Sequence, residues 1–352
     1  MAGRTEDQSR RIIVDQTHLR GHVTGIERVG LDLFSAEALA PHRVEAVRSR
    51  NLLHMLMEQQ VGIAGRGLLD RSALLIFPGF PPGPLAVRLG SRCIIYVHDT
   101  FLLTRPEDLN WKARRYMAPA FGFAVRHGQR FLVNSETTAT ALRAFASPEA
   151  DIRLLRPPAR DVFGLAGAAP PRRFRPGETL RLLAIGTIEP RKNYPAAIAI
   201  TGALNAAGMP AHLDIVGRIG WGQHAFLRDP PPFLSLHQGV DDAGMRRRVE
   251  ESHALVSTSK AEGLGLPLLE VQHGGLPVIA PRGEVFEEVL AGSGLHIDPD
   301  DPDRAAAAIR DWVLGNLPEA ASASRVNAAR WARLAAEDAA RFRQSLGLHS
   351  PA

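Results

Sequence analysis

The chain has 352 residues, 45% hydrophobic and 22% charged, and a formal net charge of +5 from 42 basic and 37 acidic side chains. This length suits two domains of about 150–200 residues each, and the composition excludes a disordered tail, a collagen-like chain and a disulfide scaffold. The mildly positive balance permits an anionic ligand or an anionic membrane surface but does not select nucleic acid: the chain shows no zinc finger, RNP-type strand or basic-region heptad, and its basic residues are scattered.

Apolar runs such as Cys93 to Val97 and Leu182 to Ile185 fall far short of the roughly 20 residues of a spanning helix. The polar stretch Met1 to Arg11 lacks the apolar segment of a signal peptide. One cysteine, Cys93, allows no internal disulfide, so a cytoplasmic location is expected. Lysine is a minority choice in this arginine-rich chain, represented only by Lys112, Lys192 and Lys260, which makes the place of each informative.

In chain order, Ile12 to Val14 reads as a first strand, and Thr24-Gly25 leads into a helix whose apolar residues Ile26, Val29, Leu33 and Phe34 recur at helical spacing. Leu74 to Phe77, Ile94 to Val97 and Phe131 to Val133 read as further strands, the last followed by a helix from about Glu136 to Phe145 capped by Ser135. Pro157, Pro158, Pro170, Pro171 and Pro176 mark a linker-like stretch. Alternation then resumes: strand Leu180 to Ile185, helix Pro195 to Ala207, strand His212 to Val216, helix Asp242 to Glu251, strand Leu255 to Ser257, helix Pro267 to Gly274 and strand Pro277 to Ile279. From Ala305 onward the tail reads as helical, ending in an Ala/Arg-rich helix from about Asn327 to Leu346. Strands apolar on both faces predict parallel sheets covered by helices, hence two doubly wound α/β units with ligands at the carboxyl ends of the strands.

The most informative segment is Glu262-Gly-Leu-Gly-Leu-Pro-Leu-Leu-Glu270. Pro267 suits a first helical turn and Gly274-Gly275 its end. Gly263 and Gly265 let amides approach a ligand, the helix start favours a diphosphate, and Glu270 is expected about one turn in, able to accept from hydroxyls. Taken alone, a glycine turn with a solvated glutamate is an equal reading. Arg191 and Lys192, in Gly186-Thr-Ile-Glu-Pro-Arg-Lys-Asn193 after a strand, form a natural diphosphate clamp; alone, an exposed charged turn is the simpler reading. His98-Asp99 closes a strand, where a histidine satisfied by a neighbouring loop is the bland alternative. Asp298-Pro-Asp300-Asp301-Pro-Asp303 has prolines that break calcium-loop spacing and reads as a turn and helix cap. No His/Cys cluster stands at metal-ligand spacing, and no metal ligand is assigned. Residues 110–130 mix Trp111, Tyr116 and Phe121 with Arg114, Arg115 and Arg126. They read first as a packed helix with a solvated basic face, and second as a peripheral contact with anionic membrane.

The Glu262–Glu270 string resembles the E-x7-E signature of glycosyltransferase family 4, retaining sugar transferases of the GT-B fold, and the Glu189-Pro-Arg-Lys192 string resembles that family's diphosphate loop. The resemblance runs strongly over residues 180–298, moderately over 24–145, and departs at Thr187, where many relatives carry arginine. It implies a GT-B architecture of two Rossmann-like domains facing across a cleft: 1–165 for the acceptor, 176–334 for the nucleotide sugar, and a final helix near 335–352 returning to the first.

The implied reaction moves a hexosyl unit from a nucleoside-diphosphate sugar to a hydroxyl of a glycan or lipid-linked acceptor, as in bacterial polysaccharide assembly at the inner face of the cytoplasmic membrane. By the same resemblance Arg191, Lys192 and the amides of Gly263, Leu264, Gly265 and Leu266 hold the diphosphate, with Thr187 as a hydroxyl donor. Glu262 holds the sugar, Glu270 the ribose, and His98 the sugar or its leaving oxygen. Gly239 and Val240 meet the base through the main chain, and Gly25 lies beneath the phosphates. No cofactor beyond the donor is implied; GDP-mannose is the first expected donor and a UDP-hexose the second. A nucleotide-sugar epimerase of the same fold and a non-catalytic nucleotide-sugar-binding partner are the alternatives.

Overall fold

The computed structural model describes residues 9–19, 25–109, 111, 113–167, 172 and 174–347. The chain divides into two units, residues 1–158 with 334–352, and residues 159–333. Each is built on a six-stranded, wholly parallel sheet.

In the first unit the strands are β1 (Arg11–Asp15), β2 (Arg43–Val47), β3 (Leu74–Phe77), β4 (Cys93–Val97), β5 (Arg130–Val133) and β6 (Asp151–Leu154), in the order β2-β1-β3-β4-β5-β6. Parallel pairs need crossovers, and helices supply them. The connection from β2 to β3 is helical from Leu52 to Leu69, its Glu58–Gly62 turn widened to π geometry. Ser135 accepts the Thr138 amide at 3.0 Å and so caps the helix Glu136–Arg143. One face of the sheet buries Ile13, Leu75, Phe77, Ile95 and Phe131 against Ile63, Ala86 and Phe121.

The second unit holds β7 (Leu180–Ile185), β8 (Ala211–Val216), β9 (Leu234–His237), β10 (Ala254–Val256), β11 (Val278–Pro281) and β12 (Gly294–Ile297), in the order β12-β11-β10-β7-β8-β9. Successive side chains point to opposite faces. Thus Leu182 joins a core with Ile215, Ile200 and Ile309, while its neighbour Leu183 joins another with Leu255, Leu269 and Trp331. Asp241 caps the helix Asp242–Glu251 by accepting the Gly244 amide at 2.8 Å.

The tail differs from the sequence expectation in being one helix, Pro302–Gly347, that continues through Pro318. Its residues from 334 belong to the first unit. There Phe342 packs edge-on to Phe34 with ring centres 6.2 Å apart, and Ser345 accepts from Arg130 at 3.0 Å. Among the described residues no helix is long and apolar enough to cross a membrane.

Candidate functional site

In the second sheet β7 lies between β8 and β10. The chain leaves β7 toward β8 and β9 on one side and returns to lay β10 on the other, so the loops after β7 and β10 diverge from a common point. Ligands of open α/β sheets sit at such points.

After β7 the chain turns at Gly186, φ +143°. A Cβ there would lie 3.3 Å from the Lys192 amine, and a Cβ on Gly217 would lie 1.9 Å from the Gly186 carbonyl oxygen. Glycine at both places lets two backbone loops touch and leaves room for the lysine. A 3-10 turn, Pro190–Lys192, and Asn193 in the left-handed region then open the helix Tyr194–Ala206. After β10, the Thr258 hydroxyl donates to the Asn193 carbonyl at 2.9 Å. Gly265, φ +81°, starts the helix Leu266–Glu270, with Pro267 in its first turn. The helix begins one residue before the expected Pro267 and tightens into a 3-10 turn over Val271–Gly274.

These two loops bring Arg191, Lys192 and Glu262 together. Lys192 Nζ donates to Glu262 Oε1 at 2.6 Å, and Arg191 Nη1 donates to Glu262 Oε2 at 2.9 Å and to the Ala261 carbonyl at 2.6 Å. Arg191 Nη2 reaches Glu189 Oε1 at 2.6 Å. The Glu262 side chain keeps 8% of its exposure. Burial alone would push its carboxyl up; the charges of Lys192 and Arg191 and a hydrogen bond with Ser259 outweigh burial and hold it at about 2. Burial would lower the Arg191 guanidinium, but Glu262 and Glu189 raise it above its ordinary value. Glu262 is therefore a carboxylate at neutral pH, which accepts hydrogen bonds and has no proton to give. Gly265, Pro267 and Leu268 line the same hollow. Glu189 and Ser259 were assigned no role from the sequence, although Glu189 stands inside the string that carried Arg191 and Lys192.

The remaining candidates of this unit lie around the cluster. Thr187 Oγ1 accepts from Arg218 Nε at 3.5 Å. Gly239, φ +64°, faces open space between β9 and the helix cap Asp241. Val240 packs against the apolar core, as does Leu266, and Leu264 is buried within it. Among the described residues, none of Thr187, Gly239 and Val240 makes a hydrogen bond to the Arg191–Lys192–Glu262 cluster. Glu270 is only 4% exposed, at the end of its short helix; Gly263 lies in the loop that leads to it.

In the first unit, His98 follows β4. Its Nε2 donates to the Pro78 carbonyl at 2.7 Å, and its own carbonyl accepts from Asn134 at 2.7 Å. Burial pushes the imidazole down to about 4, with a smaller contribution from His18, so the ring is neutral at physiological pH. Gly25 opens the helix Gly25–Leu33, and a Cβ placed on it would meet nothing within 4 Å. Thr24, read with it, lies outside the described residues, as do Lys112, Pro170 and Pro171. No sequence pattern pointed to the network at the end of β1. There the fully buried Asp15 accepts from the Thr17 amide and hydroxyl at 2.9 and 2.6 Å, and Gln59 donates to the Thr17 hydroxyl at 3.0 Å. Among the described residues no group of three or more His, Cys, Asp or Glu side chains is placed to hold a metal ion.

Residues 169–331 match the family Glycosyl transferases group 1. The chain is 28% identical over 246 residues to the serotype-specific mannosyltransferase WbdA of Escherichia coli, an alignment that covers 64% of this chain and 30% of that protein. It is 36% identical over 104 residues to the O-antigen chain mannosyltransferase RfbU of Salmonella typhimurium, covering 25% of this chain and 29% of that one. The chain thus spans under a third of the length of these curated relatives. Among solved structures, sucrose-phosphate synthase from Thermosynechococcus elongatus superposes with a TM-score of 0.70 at 14% identity, over 97% of this chain and 100% of that one. WaaG, a glycosyltransferase involved in lipopolysaccharide biosynthesis, superposes with a TM-score of 0.65 at 13% identity, over 96% and 100%. Two parallel six-stranded sheets with these neighbours are the GT-B fold, and residues 169–331, which carry the Arg191–Lys192–Glu262 cluster, resemble the group 1 glycosyl transferases.

Proposed function

We propose that the chain is a retaining glycosyltransferase of the family 4 kind. It moves a hexosyl unit, mannosyl first, from a nucleoside-diphosphate sugar to a hydroxyl of a glycan or lipid-linked acceptor in cell-surface polysaccharide assembly. One observation carries this reading: Arg191 and Lys192 converge on Glu262 at 2.9 and 2.6 Å, in loops from two adjacent strands. Breaking the sugar–phosphate bond builds negative charge on the leaving diphosphate. Two cations fixed beforehand in a partly buried site stabilise that charge without reorganising. The amides of Gly263 to Leu266 add donors on the same side. Glu262, held ionised, accepts hydrogen bonds from sugar hydroxyls when the diphosphate takes over the cations. Glu270 is assigned the ribose, Gly239 and Val240 the base, and neutral His98 a hydroxyl of the sugar.

In this reading the acceptor oxygen attacks the anomeric carbon on the face the phosphate leaves. The acceptor's proton passes to the departing phosphate oxygen, so no side chain forms a bond to the sugar. GDP-mannose is the first donor and a UDP-hexose the second; no other cofactor is proposed. Trp111 and Tyr116, 66% and 65% exposed beside exposed Arg114 and Arg115, support a peripheral contact with anionic lipid at the inner face of the cytoplasmic membrane.

Calorimetric titration of the full chain with GDP-mannose, UDP-glucose, GDP and UDP tests the reading. One nucleoside diphosphate is expected to bind, with at least about tenfold weaker binding to Lys192→Ala. Absence of binding by all four would overturn it. Release of nucleoside diphosphate without transfer to any added acceptor would point instead to an epimerase of the same fold.

A further inference from the structure

Lys260, one of three lysines in the chain, takes no part in the cluster above. With Arg282 and Arg304 it lines a cavity of about 790 Å³ at the carboxyl ends of β10, β11 and β12, entirely within residues 193–308. That volume is in the range of small-molecule sites. The three cations come from three separate elements: the loop after β10, the loop after β11, and the first turn of the helix Pro302–Gly347. None of their side chains makes a salt bridge or hydrogen bond to a described residue. Asp298 and Asp300 share the wall, and they too form no ion pair with these cations. Instead Asp298 accepts the Asp300 amide at 3.0 Å, while the neighbouring Asp301 caps the helix by accepting the Arg304 amide at 3.1 Å. The aspartate run therefore acts as the expected turn and cap. Pro281, Leu295 and Phe286 supply apolar wall.

We infer that this cavity is a binding site for a phosphorylated sugar. Three lining cations without an ion pair to a described residue fit a phosphate dianion, the Asp300 carboxylate and the remaining oxygen of Asp298 fit ring hydroxyls, and the apolar wall fits the C–H face of a hexose. The cavity adjoins the cluster through the chain itself, because the Lys260 amide donates to the Arg191 carbonyl at 2.9 Å. Resting on the sugar-transfer reading, the ligand is then a phosphosugar held beside the donor loops, not in the part of the chain expected to take the acceptor. The charge arithmetic of the cavity does not depend on that reading.

The test titrates the full chain with mannose 6-phosphate, mannose and inorganic phosphate, alone and with saturating GDP and UDP. The phosphosugar is expected to bind at least about tenfold more tightly than either fragment, since both halves of the cavity contribute. Lys260→Ala/Arg282→Ala is expected to weaken it by about tenfold or more while nucleotide affinity stays within about twofold. Binding no tighter than inorganic phosphate, binding unchanged in the double variant, or one-for-one displacement by a nucleoside diphosphate would each overturn the inference. Failure of both nucleotides to bind would sink the transferase reading alone, because the phosphosugar titration is read without them.

Discussion

The backbone amide of Lys260 donates to the carbonyl of Arg191 at 2.9 Å. This bond, with that from Thr258 to Asn193, ties the loop after β10 to the loop after β7. The cations and the carboxylate of the cluster therefore sit on one braced unit. Side chains held this way meet a developing charge without first being ordered, which is where electrostatic catalysis gains its advantage.

Removing either side of the cluster should be costly to turnover. Lys192→Ala and Glu262→Ala are each expected to lower the transfer rate by about 10²–10³ in proteins with native circular dichroism. A rate assay with a nucleotide sugar and a glycan acceptor measures it. Rates within about threefold of the parent in both variants would exclude a role for the cluster.

Acid should weaken the second unit through Glu262. Its folded value of about 2 lies below the ordinary 4.5, so its contribution is fully present above pH 4.5 and fades as pH falls toward 2. The depression corresponds to about 3 kcal/mol. Urea unfolding between pH 6 and pH 3 should show a steeper loss for the parent than for Glu262→Gln, which lacks the titrating group. Parallel pH profiles would contradict the assignment.

His98 should stay neutral far into the acid range. With burial pushing its imidazole down to about 4, its NMR titration should show no midpoint between pH 5.5 and 7. Since the unfolded ring protonates near 6.5, His98 also lowers stability as pH falls from there to about 4. A midpoint near 6.5 in the folded chain would refute the burial argument.

Two glycines separate close packing from backbone conformation. Gly217→Ala places a methyl 1.9 Å from the Gly186 carbonyl oxygen, an overlap that needs the β7 and β8 loops to part. Gly239→Ala meets nothing within 4 Å but must hold φ +64°, a cost of about 1–2 kcal/mol. Chemical denaturation should therefore show the larger loss for Gly217→Ala, and equal losses would argue against the contact.

In the first unit, Arg156 Nη1 lies 2.9 Å from Asp338 Oδ2, and Asp338 is fully buried. Asp338→Ala leaves a buried guanidinium without its main counter-charge, which costs about 3–5 kcal/mol. Denaturant titration of this variant should show a comparable fall in unfolding free energy. A loss under about 1 kcal/mol would mean that the pair behaves as a surface one.

The eight interior strands were legible in the sequence because burial on both faces demands unbroken apolar runs, as in Leu74–Phe77 or Cys93–Val97. The four strands that sequence patterning passed over, β2, β6, β9 and β12, are the four sheet edges. Two of them, RVEAV and DIRL, carry charges, and the other two, LSLH and GLHI, break the apolar run with Ser, Gly or His, so all four lose the signal. At the site, Arg191, Lys192 and Glu262 were legible as types in separate strings. Their mutual neutralisation was not, since it depends on β10 being laid beside β7. The Asp15 network was invisible for the same reason: Gln59 comes from a distant helix.

The helix Pro302–Gly347 sets an order on how the protein is made. Residues 159–333 form a contiguous run, whereas the first unit also needs residues from 334 onward. On the ribosome the later-starting half can close its core first, while the earlier half must wait with Phe34 and Arg130 unmatched until Phe342 and Ser345 emerge.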